Sequence, residues 1–391
     1  MSNREIYAAE KVIAEAWQAG QDNGSGESAA IAEGGLIGAV ETFIRRYLIL
    51  PDKAALPLAL WTAATYLYEH FDTFPYLAVV SPAKRCGKTR LAEVLGCVAR
   101  KPVLTTGISE AALFRLVDRG DVTLLLDEAE ALREKKSERS QAIVSILNAG
   151  YRRGACVHRC VPPKHDLQPF SVYGPKAVIA IGSLPDTVFD RSIVVRMRRR
   201  KAAEEVGRFL FRRAQAEAEP LRGTFGKVAS VRGQEIAEVY ASLPGFPELT
   251  DRDEELWGPL FAVCAVLAPD RLPELKKAAL ALSGAKAESD VDDSLSLRLL
   301  SDIGELLGGF EETIPSAELV TKLKGLPESP WGESGRELTA NRLARMLRPF
   351  GVSSRGVRVG DKTPKGYLRK ELEEAISLYV GSQSATSATT Q

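Results

Sequence analysis

Two short stretches of this sequence carry groups suited to handling a triphosphate. The first is SPAKRCG, Ser81 to Gly87, followed by Lys88, Thr89 and Arg90. An apolar run from Tyr76 to Val80 precedes it, and Leu91, Val94 and Leu95 follow at helical spacing, so the order strand, tight loop, helix start is expected. A loop that ends in Gly-Lys-Thr at a helix N-terminus offers backbone N–H groups and the positive end of the helix dipole to phosphate oxygens. The candidate nucleotide-binding residues are therefore Pro82, Ala83, Lys84, Arg85, Cys86, Gly87, Lys88, Thr89 and Arg90. Lys88 would reach the β- and γ-phosphates, and the Thr89 hydroxyl would ligate Mg²⁺. Pro82 stands where the GxxxxGK[ST] pattern has its first glycine. Proline fixes φ and has no N–H, so it fits only if that position neither donates to phosphate nor needs a positive φ. Taken alone, this stretch also reads as an ordinary basic turn.

The second stretch is VTLLLDEAE, Val122 to Glu130. An apolar strand ending in two acids places both carboxylates at the carboxyl edge of a sheet, where ligands of α/β proteins bind. Asp127 would hold Mg²⁺ through a water, and Glu128 would orient and deprotonate the attacking water. The competing reading is a strand running into an acidic helix N-terminus, which the helix dipole favours. Both motifs in this order point to an NTP site, with ATP and Mg²⁺ as its ligands. Ser183 ends a strand expected to neighbour the acidic one, where its hydroxyl would sense the γ-phosphate or position water. Arg191 precedes the strand Ile193–Met197, a place from which an arginine can enter the next subunit's site and stabilise transition-state charge. A surface pair with Asp190 is the alternative. Arg252, ahead of a Trp257–Leu267 helix, is a candidate for reaching the γ-phosphate from a lid.

These residues need a frame. The chain has 391 residues, 45% hydrophobic and 26% charged, which fits a globular protein of two or three domains. A formal net charge of +1 gives no global field for a polyanion, so any nucleic-acid surface is a local patch. No apolar run approaches the roughly 20 residues of a membrane span. The charged N-terminus is unlike a signal peptide, and five cysteines make no disulfide framework, so a cytoplasmic setting is expected. Residues 1–35 read as an amphipathic helix and linker. Residues 36–201 read as a nucleotide-binding core, with helical patterns at 36–50 and 54–71 and then alternating strand and helix, the mark of a parallel sheet. Residues 202–284 are helical throughout, with breaks expected at Pro220, Pro244, Pro247 and Pro269, and suit a lid. An acidic linker spans 284–293, and the Ser/Thr/Ala-rich 381–391 reads as a disordered tail.

Two further stretches suit nucleic acid. Ala155–Cys160 and Leu167–Tyr173 read as a hairpin inserted in the core, with Lys164 and His165 at its tip and Arg152, Arg153 and Arg159 at its root, suited to phosphate contact. A solvated loop is the plainer reading, and Cys156, His158, Cys160 and His165 invite a zinc reading. Adjacent alternate positions on a strand spread about 7 Å, which works against convergence on one metal. The basic run Arg196–Lys201 is either a solvated exit or a second phosphate patch. Residues 294–380 form helices, a helix at 339–349 with Ala340, Leu343, Ala344 and Leu347 on one face, a hairpin, and a closing helix. That order describes a winged helix. Between Trp331 and Lys370 there are ten Lys/Arg and three Asp/Glu, so Arg342, Arg345, Arg348, Arg358, Lys362 and Lys365 are candidate DNA contacts. Winged helices also dock proteins, so that alternative stays open.

The strings SPAKRCGKTRLAEVLG, LLLDEAEAL, ILNAGYRRGACVHRC, LPDTVFDRSIVVRMRRR, TDRDEELWGPL and ESPWGESGRELTANRLARMLRPFGV together resemble an uncharacterised ATPase family of phage, plasmid and integrated-element replication proteins. The layout also looks like the AAA+ class, above all the branch with a hairpin before the first sensor strand, as in MCM-type helicases. The resemblance covers about residues 40 to 380. It implies an α/β AAA+ P-loop NTPase core with a helical lid and a C-terminal winged helix, and it carries the roles above onto Lys88, Thr89, Asp127, Glu128, Ser183, Arg191 and Arg252. It treats Pro82 as a family trait and places Lys164 and His165 in the pore of a homo-oligomeric ring, a hexamer, around single-stranded or forked DNA. No primase motif is present, so priming would fall to a partner. The expected function is an ATP-driven replicative helicase; a helicase loader or initiator switch is the alternative.

Overall fold

The computed structural model describes residues 35–129, 132, 137–161, 166–201, 203–287, 293–327, 329–332, 337–358 and 363–380. The expected N-terminal helix, the tail 381–391, residues 288–292 of the acidic linker, and Lys164, His165 and Lys362 lie outside them.

Chain order begins with helices α1 (Gly35–Tyr47) and α2 (Ala55–Ala64), then β1 (Tyr76–Ser81) and α3 (Lys88–Val98). Next come β2 (Pro102–Thr105), α4 (Glu110–Asp118), β3 (Thr123–Leu126) and α5 (Glu138–Ala149). The hairpin β4 (Cys156–Val161) and β5 (Asp166–Ser171) leads to β6 (Lys176–Ile181), α6 (Asp186–Asp190) and β7 (Ser192–Arg196).

Five of these strands form one parallel sheet in the order β2-β3-β6-β1-β7, flanked by helices. β1 is buried at all six positions because β6 and β7 cover its edges and helices its faces, which is why Tyr76 to Val80 reads as an uninterrupted apolar run. β2 and β7 are the edges, and Leu104 on β2 is exposed. The insertion of β6 between β1 and β3 sets the strand leading into the Ser81–Gly87 loop and the acidic strand two spacings apart, about 10 Å. β4 and β5 pair only with each other, from Cys156↔Ser171 to Val161↔Asp166. Their root is held by Phe170 against Phe114 of α4 and by Arg159, which lies over the Phe114 ring and pairs with Glu110 at 2.6 Å.

Beyond β7 the helices are α7 (Phe211–Ala241), α8 (Asp251–Leu267) and α9 (Leu272–Ala287). The break expected at Pro220 does not occur: α7 runs 31 residues through it. Proline removes one hydrogen bond and crowds the preceding turn, but packing holds the helix together. Arg222 donates to the Cys97 carbonyl at 3.2 Å, and Phe225 packs on Tyr66. Gly233 lies against His70, where a Cβ would come within 2.8 Å of Nε2. Residues 203–210, expected as helix, precede it as irregular chain.

The last segment holds α10 (Asp293–Leu306), β8 (Thr313–Pro315), α11 (Ser316–Lys324), α12 (Ala340–Leu347), β9 (Arg355–Gly356), β10 (Lys365–Leu368) and α13 (Arg369–Tyr379). Its strands form an antiparallel sheet in the order β8-β10-β9. The buried face of α12 is Leu343, Met346 and Leu347; Ala340, expected inside, is exposed in the first turn. No helix among the described residues is long and apolar enough to cross a membrane.

Candidate nucleotide site

The loop from Ser81 to Gly87 joins the centre of the sheet to α3. Gly87 caps that helix at φ +81°, a left-handed conformation that glycine adopts without strain. An added Cβ there would make ordinary contacts, 3.4 Å from Leu48 and 3.6 Å from Met197, so φ is what favours glycine. Arg85 too has positive φ, at 64°, whereas Pro82 does not, so proline meets the backbone requirement at its place. Lys88 is buried, and its Nζ donates to Ser81 Oγ at 2.7 Å and to the Ala83 carbonyl at 3.4 Å. Ser81 Oγ in turn donates to that carbonyl at 2.6 Å. Thr89 is exposed at the helix start, and Arg90 lies over Phe209 and pairs with Glu93 at 2.9 Å.

The acids stand on the same carboxyl edge. Register aligns Leu126 of β3 with Val178 of β6 and, through it, with Ala78 of β1, so Asp127 follows one step above, below the mouth of the loop. Asp127 is buried; its N–H donates to the Thr105 carbonyl at 2.9 Å, and its Oδ1 accepts the Glu128 N–H at 2.9 Å. Glu128 is exposed at φ 57°, a conformation a non-glycine residue adopts only when its surroundings impose it. Both carboxyl residues line a cavity of about 200 Å³ with Thr105, Arg139 and Ser140. Ser183 follows β6 beyond Gly182, whose N–H donates to the Ser81 carbonyl at 2.9 Å. The sheet thus gathers Lys88, Thr89, Asp127, Glu128 and Ser183 along one rim.

Arg191 and Arg252 lie elsewhere. The Tyr76 N–H, at the start of β1, donates to the Arg191 carbonyl at 3.0 Å, so Arg191 occupies the opposite edge of the sheet from its own phosphate loop. Its guanidinium donates to the Thr187 carbonyl at 2.6 Å. Asp190 pairs with Arg252 at 2.9 Å rather than with Arg191. Arg252 also contacts Glu255 at 2.7 Å and lies over the ring of Tyr151, itself packed on Tyr76. Arg252, the candidate for reaching the γ-phosphate from the lid, stands near the amino edge of the sheet, where α8 starts and two acids hold its guanidinium.

Three members of the basic run after β7 are paired within the chain, and Arg200 is exposed. Arg198 pairs with Glu204, holding that carboxyl down at about 2, and Lys201 pairs with Glu374 at 2.7 Å. Arg199 Nε donates to the carbonyl of Lys84 in the phosphate loop at 3.0 Å, and its Nη1 donates to the carbonyl of Leu378 at the end of α13. The Arg199 N–H donates to Tyr379 Oη at 2.8 Å. Sequence reasoning missed this tether and the Ser81 contact to Lys88; only carbonyls distant in the chain distinguish Arg199 from its basic neighbours.

Of the candidate DNA contacts, Arg345, Arg348, Arg358 and Lys365 are exposed and Arg342 is half-buried. Arg345 and Arg348 line a cavity against the core rather than a bare outer face. At the hairpin, Cys156 Sγ and His158 Nε2 stand 4.0 Å apart, and no group of His, Cys, Asp or Glu among the described residues is placed to hold a metal ion.

A family model described as a protein of unknown function (DUF3631) matches residues 196–379. No curated protein matches the chain. Among solved structures, the NrS-1 C-terminal region is similar at 13% identity and a TM-score of 0.30, covering 85% of this chain and 75% of that one. Drosophila ORC bound to DNA is similar at 11% identity and a TM-score of 0.22, covering 93% of this chain and 98% of that one.

Proposed function

We propose that this chain is an ATP-hydrolysing AAA+ motor acting on DNA, a replicative helicase of a phage, plasmid or integrated mobile element. The observation that carries the reading is the single rim on which a parallel sheet gathers Lys88, Thr89, Asp127 and Glu128. The residues fit ATP and Mg²⁺: Lys88 would hold phosphate oxygens, while Thr89 and Asp127 would hold the metal. Mg²⁺ supplies charge neutralisation on the phosphates. Glu128 orients a water and takes its proton; the positive φ at Glu128 aims the carboxylate from a fixed backbone. Ser183, beside the loop, would bind the γ-phosphate or that water.

Arg191 supports a ring. It lies across the sheet from its own loop, so it can serve a nucleotide only in a neighbouring copy, and Arg252 shares that edge. The helix–strand–helix–helix–hairpin order of residues 293–380 supports a winged helix, with Arg342, Arg358 and Lys365 as phosphate contacts. The hairpin β4–β5 projects from the core just before β6, where the tip residues Lys164 and His165 would meet a strand in a central pore, and priming would come from a partner.

One observation favours a second reading, a loader or initiator switch. Arg199 joins the phosphate loop directly to α13, so a change in the loop is transmitted to the C-terminal segment without translocation. Strand displacement on a forked substrate separates the two. Purified protein that hydrolyses ATP and unwinds the fork is the motor; hydrolysis and DNA binding with no displacement is the switch. Glu128→Gln should keep ATP binding and lower turnover by about 10²-fold or more. Turnover at the unmodified rate in that variant removes Glu128 as the base.

A further inference from the structure

A cavity of about 460 Å³ lies between the edge strand β7, helix α9 and the turn that follows α12. Six cations line it: Lys53 from the loop between α1 and α2, Arg196 and Arg198 from the end of β7, Lys286 from α9, and Arg345 and Arg348. Asp52 is the one acid among the described lining residues, and Asp190 and Asp253 act on Lys286 from nearby. Arg198 is partly answered by Glu204, and Lys286 donates to the Asp190 carbonyl at 2.9 Å. A cavity lined by several cationic groups favours an anion electrostatically. The walls between them are apolar, built from Val194, Ala281, Leu282 and Pro349.

The cavity is separate from the phosphate loop. Successive strand side chains point to opposite faces. Met197 faces α3, since its methyl group stands 3.6 Å from where a Gly87 Cβ would lie. Arg196 and Val194 therefore turn to the other face of the sheet, away from the helix that Lys88 opens.

We propose that this cavity binds a nucleoside phosphate, its phosphates on the arginine and lysine groups and its base against the apolar wall, as a second site besides the ATP site. A volume in the range of small-ligand pockets, about 300–1,000 Å³, suits a nucleotide better than a bare phosphate. The ligand is either a free nucleotide or one unit of a DNA strand, which share this chemistry. Because the C-terminal segment supplies Arg345 and Arg348, the core Lys53, Arg196 and Arg198, and α9 Lys286, occupancy would fasten the three together.

The full chain carrying Lys88→Ala, which silences the phosphate loop, tests this with two probes, fluorescent ADP and the 5′-phosphorylated dinucleotide pTpT. One or both should still bind, and adding Arg345→Gln with Arg348→Gln should weaken that binding by about tenfold or more. Tighter ADP assigns a free nucleotide, and tighter pTpT assigns a DNA strand. Failure of both probes to bind, or affinities unmoved by the paired substitution, overturns the second site while leaving the phosphate-loop reading intact. Thermal melting checks that each variant is folded. If the arginine pair lowers melting, Lys53→Gln, on an exposed loop, replaces it: weaker binding supports the second site and unchanged binding overturns it.

Discussion

At the scale of single residues, two groups of the candidate site stand where the backbone itself is unusual. Glu128 and Arg85 both hold positive φ, and both flank the path proposed for the phosphates. Lys176 is a different case. It is fully buried at the start of β6, with its ammonium donating to the Val172 and Gly174 carbonyls at 2.7 and 3.0 Å and lying over the Tyr76 ring. Burial pushes its pKa from 10.5 down to about 7. In the unfolded chain the lysine remains protonated up to its ordinary value, so between pH 7 and 10.5 the unfolded state binds more protons. Stability should therefore rise with pH across that window, relative to Lys176→Met, which has no such titration. Chemical denaturation at pH 7 and 9.5 measures it, and parallel pH profiles for the two proteins would exclude the burial effect.

At the scale of elements, the instructive piece is the segment between β7 and α7. It carries a run of like charges that sequence patterning treats as surface, yet three of its members are committed to other parts of the chain: Arg198 to Glu204, Arg199 to Lys84 and Leu378, Lys201 to Glu374. Tyr379 adds an edge-on contact with Phe350 and the hydrogen bond from the Arg199 N–H. Arg199→Ala removes the guanidinium bonds, which bind carbonyls with a charged donor and contribute about 1.5–3 kcal/mol each at most. The expected outcome is faster amide exchange in residues 369–379 and earlier proteolytic release of the C-terminal segment. Exchange unchanged in α13 would show that Tyr379 and Lys201 hold it without Arg199.

At the scale of the whole molecule, the two edges of the sheet carry different candidate groups. Under the ring reading, the carboxyl edge of one copy meets the amino edge of the next, bringing Glu128 of one chain to Arg191 of another. Arg191→Ala and Glu128→Gln should each be inactive alone. Mixed, they form some interfaces in which an intact Glu128 meets an intact Arg191, so turnover should recover to a measurable fraction of the unmodified rate. A mixture as inactive as its components would place Arg191 outside the site, with its role limited to the Thr187 carbonyl it already contacts.

The placing of Lys88, Thr89, Asp127 and Glu128 at strand ends and a helix start was legible in the residue order. A loop between an apolar run and a helical pattern, then an apolar run ending in two acids, leaves little freedom: local spacing determines that Lys88, Thr89, Asp127 and Glu128 each end on a strand or open a helix. Spacing does not determine which strands are neighbours. That β6 lies between β1 and β3, and that Arg191 and Arg252 share the far edge, follows from long-range pairing, where register and sheet order are set by burial rather than by adjacent residues. The same holds for Pro220, whose local preference to break a helix is outweighed by the packing of α7 on the core. It holds again for the cationic cavity, whose six members come from four separate parts of the chain. Charge type is written in the sequence, but whether a charge meets solvent, a distant carbonyl or a ligand depends on what folding brings beside it.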